Sequence, residues 1–222
     1  MRFFRTSGIG RAATLALVTT VVMLAGANAW SQGASIFDRN LVVNGDAEAG
    51  PGTPDAGSPA MPPPGWKTTS NFTAAQYGGS GGLPAKTDPG PADRGVNFFS
   101  GGNGNAASWA RQRIDVGAGA AAIDAGTVRY KLWAFLGGFS GQEDHTVISA
   151  TFVDAGGRDL GVATIGPVTA ADRKNTTGLL PRGAAGALPA KTRSVDILIA
   201  ATRFEGGYND GYSDNILFSL AK

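Results

Sequence analysis

The chain has 222 residues, no cysteine, a single histidine, and 19 basic against 17 acidic residues. Zinc chemistry of the His/Cys kind is excluded, because His145 stands alone where such a site needs three or four N or S ligands. The slight basicity belongs to the first 29 residues: Arg2, Arg5 and Arg11 lie there without an acid, and the rest carries 16 basic against 17 acidic residues. With no Lys/Arg run longer than two, no nucleic-acid partner is expected.

The opening "MRFFRTSGIGRAATLALVTTVVMLAGANAW" has a basic start, an almost wholly apolar stretch over 12–27, and small residues at Ala27 and Ala29. This pattern predicts a signal peptide over 1–29, cleaved after Ala29. The apolar stretch is shorter than the roughly 20 residues needed to span a bilayer. The expectation is a secreted or periplasmic protein without a stable membrane anchor after cleavage. A short lead over 30–38 then precedes one domain over 39–222, long enough to bury a core without disulfides.

Beyond that point period-two alternation replaces any helical period. Strands are predicted at 40–44, 95–101, 108–116, 127–137, 145–155, 158–168, 193–205 and 213–220. In the fourth, Val128, Tyr130, Leu132 and Ala134 share one face while Arg129 and Lys131 share the other. Phe98, Trp109, Trp133 and Phe135 fall inside strands and read as core. "DAGGRD" (154–159) reads as a tight hairpin. The Pro/Gly-rich "EAGPGTPDAGSPAMPPPG" (48–65) reads as an excursion that no sheet absorbs and that must cross the surface. Many short strands punctuated by 34 glycines predict an all-β fold, an antiparallel β-sandwich with jelly-roll topology.

Several motifs fail on context. "GGSGG" around Ser80 lacks the preceding apolar strand and following helix of a nucleophile elbow, and reads as a flexible glycine loop. "IDVGAGAAA" has neither the helix nor the distal acid of a dinucleotide fingerprint. Two carboxylate pairs, Glu143 with Asp144 and Glu205 with Asp210, have the residue types of a glycosidase. Acids in Gly-rich loops are more often turn formers or calcium ligands, which weighs against catalysis.

"NLVVNGDAEAG" (40–50) and "GYSDNILFSL" (211–220) resemble the opening and closing strands of galactose-binding-like jelly rolls, among them calcium-containing carbohydrate-binding modules. With "GGFSGQEDHTVISATFVDAGGRDLG" between them, the chain looks like an exported bacterial subgroup of that superfamily. The resemblance implies that the first and last strands lie side by side, tied by a structural calcium. Glu48 and Asp214 match its side-chain ligands, Asn44 and Gly45 would contribute main-chain oxygens, and Asp46 is a further candidate. Ala47 departs from the family's aromatic. The resemblance also implies a non-catalytic module whose partner is a glycan or polysaccharide. Near the last strand, Tyr208, Asn209, Asp210 and Tyr212, with Arg203 and Gln142, supply the aromatic faces and polar groups of a sugar site; the alternative is that the tyrosines pack the core edge. Two other functions stay open: a small secreted polysaccharide-active hydrolase or lyase, and a structural extracellular protein without a small ligand.

Overall fold

Alternation along each run leaves one apolar row per strand, and two sheets bury those rows against each other. The computed structural model describes Met1 and residues 35–222; the remainder of the predicted signal peptide and residues 30–34 lie outside the described residues. In chain order the strands are β1 (Thr53–Asp55), β2 (Lys67–Thr68), β3 (Thr73–Ser80), β4 (Asn97–Asn103) and β5 (Ala107–Asp115). A single helical turn, α1 (Ala120–Asp124), leads to β6 (Arg129–Gly138), β7 (His145–Val153), β8 (Asp159–Ile165), β9 (Gly178–Ala187), β10 (Ser194–Thr202) and β11 (Tyr208–Ala221). One sheet has six strands in the order β1-β3-β4-β11-β6-β9, the other five in the order β2-β5-β10-β7-β8. Apart from the hairpin of β7 and β8, consecutive strands from β4 onward alternate between the two sheets. This is the expected all-β sandwich of jelly-roll type.

Between the sheets lie Phe99, Leu132, Ile148, Phe152, Ile197, Ile199 and Phe218, with their neighbours. Each such side chain contributes about 1.5–3 kcal/mol by leaving water. A second, smaller cluster joins Ala75, Tyr77, Leu83, Phe98, Leu179 and Tyr212. It lies on the opposite side of the six-stranded sheet: Phe98 and Ala75 are register partners, while the next residue, Phe99, belongs to the main core. Leu83 and Ala56 pack on it from the segment between β1 and β4. That segment therefore forms a roof over this part of the sheet's outer face.

Four expectations about the chain path change. Residues 40–44 are not a strand but irregular backbone entering a turn at 43–46, with Asn44 and, just beyond, Ala47 at positive φ, yet the segment still runs beside β11. Phe37 bridges Leu220 in parallel, and the N–H groups of Asp38 and Leu41 donate to the carbonyls of Leu220 and Phe218, each at 2.8 Å. Part of the Pro/Gly-rich excursion does enter a sheet, because β1 pairs with β3 at an edge where Pro54 loses no ladder bond. β3 runs through Gly78 and Gly79 to Ser80, so this stretch is strand and not free loop. β9 was not anticipated, since "GLLPRGAAGA" is poor in β-formers. Ten-residue pairing with β6 recruits it.

Candidate functional site

Three regions bear on function: the junction of the opening segment with β11, the loop end before β11, and the outer face of the five-stranded sheet.

At the junction, Ile216 N–H donates to the Gly45 carbonyl at 2.8 Å, and the Asn44 carbonyl accepts from Trp66 Nε1 at 3.1 Å. Asn44 Oδ1 accepts from Ala49 N–H at 2.9 Å. The main-chain oxygens assigned to a cation are thus engaged in holding the turn. The carboxylates behave differently. Glu48 accepts the Val96 and Asn97 N–H groups through Oε1, at 2.8 and 2.6 Å. Asp214 is fully buried; Oδ2 accepts from Tyr77 Oη at 2.8 Å and Oδ1 from Asn215 N–H at 2.7 Å. Burial pushes the Asp214 carboxyl up to about 8, against those two hydrogen bonds, and repulsion from Glu48 and Asp46 adds to the rise. Asp46, Glu48 and Asp214 therefore share one electrostatic neighbourhood. Beside them Asn97 Nδ2 donates to the carbonyls of Ala47 and Gly50, while its buried Oδ1 has no partner among the described residues. No group of three His, Cys, Asp or Glu side chains there is arranged to hold a metal ion, so carbonyl or amide oxygens would have to complete any calcium shell.

The loop end is built around two buried charges. Asp144 is fully buried, and its carboxylate accepts the N–H groups of Phe204 (2.6 Å), Glu205 (3.0 Å) and Asp210 (3.0 Å). Arg173, 4% exposed, donates to the carbonyls of Ser140, Thr176 and Gln142. Asn209 is buried, donating to the Ala201 carbonyl and accepting from Gly211 N–H. Tyr212 packs edge-on against Phe98, with centroids 5.1 Å apart, and its hydroxyl donates to Asp210. Burial pushes Asp210 up to about 6, with repulsion from Asp144 adding to it. Tyr208 is half-buried and its hydroxyl is sequestered; burial pushes it up to about 12. The expected sugar rim is corrected here: Asn209, Asp210 and Tyr212 are interior anchors of the loops. Arg203 is half-buried and donates to the Gly207 carbonyl at 2.9 Å, and Gln142 is half-buried with its amide oxygen sequestered. Neither carboxylate pair offers two free oxyanions across a cleft, because Asp144 and Asp210 are both buried and bonded.

The outer face of the five-stranded sheet holds what the sequence reading missed. Along β5, Ser108, Ala110 and Ile114 point inward, so Trp109, Arg111 and Arg113 point outward. Trp109 is 38% exposed and is not core. It shares its parity with two arginines, and that alternation alone places it outside. Cross-strand rows run Arg113–Asp196–Thr151, Arg111–Leu198–Ser149 and Trp109–Ala200–Val147. Asp196 accepts from Arg113 through both oxygens at 2.7 Å and from Arg111 at 2.8 Å. The Arg113 hydrogen bond is the largest influence holding its carboxyl below the usual range. Its side chain is 12% exposed, against 50% and 58% for Arg111 and Arg113. An open depression of about 440 Å3 is lined by Trp109, Arg111, Thr151, Asp159, Asp196 and Leu198. At the far end of the face Phe204, 61% exposed, lies over His145 with centroids 5.2 Å apart.

No family model matches this chain, and no curated protein matches it. Among solved structures it is similar to the enzymatically active domain of bacteriophage CBA120 tailspike protein 4, at 16% identity and a TM-score of 0.45, covering 82% of this chain and 21% of that one. It is also similar to the CBM22-1–GH10 modules of Clostridium thermocellum xylanase 10B, at 12% identity and a TM-score of 0.44, covering 84% and 28% of the two chains. The CBM22-1 xylan-binding domain of Paenibacillus barcinonensis Xyn10C gives 8% identity and a TM-score of 0.38, with 71% and 86% covered.

Proposed function

We propose that this is an exported, non-catalytic carbohydrate-binding protein that lays a glycan chain across the outer face of its five-stranded sheet. The observation that carries the reading is the solvent-open Trp109, set in a depression beside Arg111 and Asp196. An indole face receives the C–H face of a pyranose ring, as aromatic sites generally combine an apolar body with nearby polar groups. Arg111 spends one N–H on Asp196 and keeps others for sugar hydroxyls. Asp196 fixes both guanidiniums before any ligand arrives, which lowers the ordering cost of binding. His145, under Phe204, lies two strands from Trp109 in the same sheet, roughly 10 Å across, so the face has length enough for more than one sugar.

The test is isothermal titration with neutral soluble polysaccharides and their oligomers. Trp109→Ala should weaken binding by about tenfold or more while leaving the urea midpoint nearly unmoved. Undiminished binding in that variant would remove the face from consideration.

A structural calcium at the junction completes the proposal. Glu48 and Asp214 would hold it with carbonyl or amide oxygens completing the shell, and the partnerless Asn97 Oδ1 beside them is the feature that suits a cation. When bound, the ion would neutralise repelling carboxylates and join the opening segment to β11. Saturating calcium at about a hundred times its Kd should add about 2.7 kcal/mol, read as a rise in Tm over the protein in EDTA. Glu48→Gln should abolish that rise; an equal rise in the variant would argue against the assignment.

A further inference from the structure

A second groove opens on the six-stranded sheet, where the roof ends. β11 carries one residue more than β6 between two register pairs, Asp214–Phe135 and Leu217–Trp133, and Asn215 takes a φ of 50° there. This is a β-bulge, which bends its strand and re-aims side chains. It turns the Ile216 N–H away from the sheet to the Gly45 carbonyl and leaves a groove of about 430 Å3. Trp133, Phe135, Asn40, Asp46, Asp93 and Asn215 are among the residues that line it.

The groove is built on fixed parts. Trp133, 36% exposed, lies against Gly183 of β9, where any added Cβ would stand 2.5 Å from the indole. Only glycine there lets the ring settle so close to the sheet. Asn215 Nδ2 donates to Asp93 Oδ1 at 2.8 Å, leaving Asp93 Oδ2 and Asn215 Oδ1 for other partners. On the five-stranded face Arg111 and Arg113 balance Asp159 and Asp196. In the groove Asp46 and Asp93 contribute to the lining and no Lys or Arg does; the exposed Lys131 stands over the Trp133 ring, 5.3 Å from its centroid, where a sugar would displace it.

We propose that this groove is a second carbohydrate site and that it takes a sugar carrying a free amino group. The indole receives the ring, the side-chain amides bond hydroxyls, and the ammonium sits between Asp46 and Asp93. The site stands independently of the one on the five-stranded face. A β-linked glucosamine tetramer and its fully N-acetylated counterpart, titrated into the full chain at low salt in EDTA, separate the alternatives. The amino tetramer should bind about tenfold more tightly than the acetylated one, and the difference should shrink as salt screens the carboxylates. Trp133→Ala should weaken it about tenfold. Asp93→Asn, on an exposed loop where folding is not at stake, should weaken it roughly threefold to fivefold and narrow the preference. The preference for the amino tetramer over the acetylated one should persist in Trp109→Ala, and Val162→Ala, exposed and outside both sites, should leave the affinity unchanged. Equal affinity for the two tetramers, no binding of either, or binding lost in Trp109→Ala and kept in Trp133→Ala would overturn the proposal.

Discussion

The two sheets present the same alternation to the outside, and the outcomes are opposite. On the six-stranded sheet Phe98, Leu179 and Tyr212 point away from the main core and are nonetheless buried, because the segment between β1 and β4 folds over them. On the five-stranded sheet Trp109 points outward with Arg111 and Arg113 and stays open. An outward aromatic is therefore a packing residue where a segment covers it, as at Phe98, and a binding candidate where it stays open, as at Trp109 and, where the roof ends, Trp133. The difference also sorts the tyrosines: Tyr77 and Tyr212 each donate to a buried aspartate, Asp214 and Asp210, and so satisfy polar groups under the roof.

The largest expected effect tests the roof. Phe98→Ala should lower unfolding free energy by about 3–5 kcal/mol, the usual range for a buried phenylalanine, measured by urea denaturation. Trp109→Ala should cost under about 1 kcal/mol in the same assay. Comparable losses in the two variants would break the contrast between the faces.

A middle-sized effect should appear in the pH dependence. Asp210 has its carboxyl raised by burial to about 6 from an ordinary 3.8, so the folded protein keeps a proton that the unfolded chain has released. Its contribution to stability is full below about pH 4 and is lost as pH rises through 6. The stability of the wild type relative to Asp210→Asn should therefore fall between pH 4 and 6 and level off above, by on the order of 3 kcal/mol. A flat difference curve would mean that the buried Tyr212–Asp210 pair does not hold the proton.

The smallest effect belongs to the open face. Asp196→Asn should change stability by less than about 1 kcal/mol, because both arginines are half-exposed and their ion pairs are screened by water. Glycan affinity should drop further than stability does. A stability loss of several kcal/mol would mark Asp196 as structural and weaken its role in orienting Arg111 and Arg113.

Much of the fold was legible because it follows from a short-range rule. Alternating apolar residues located β4 to β8, β10 and β11 to within a few residues, and the motifs at 40–50 and 211–220 anticipated that the chain's opening and closing segments would lie together. β9 escaped because "GLLPRGAAGA" has no alternation to read; its order comes from pairing along β6 and from Trp133 resting against Gly183. Among candidate site residues, the parity of Trp109 with Arg111 and Arg113 was present in "SWARQRIDV", and sequence alone could have set it outward. Tyr212 and Asn209 could not be placed that way, since their burial depends on a roof and on an Asp144 carboxylate that gathers N–H groups from the β10–β11 loop and the start of β11.

What the sequence by itself determined is the class of fold and the direction each strand residue faces, because side-chain period and turn chemistry act between near neighbours. Which outward residues remain in water was decided only by the tertiary structure. Covering them requires segments distant in the chain, and no local pattern records where a Pro- and Gly-rich excursion comes to rest.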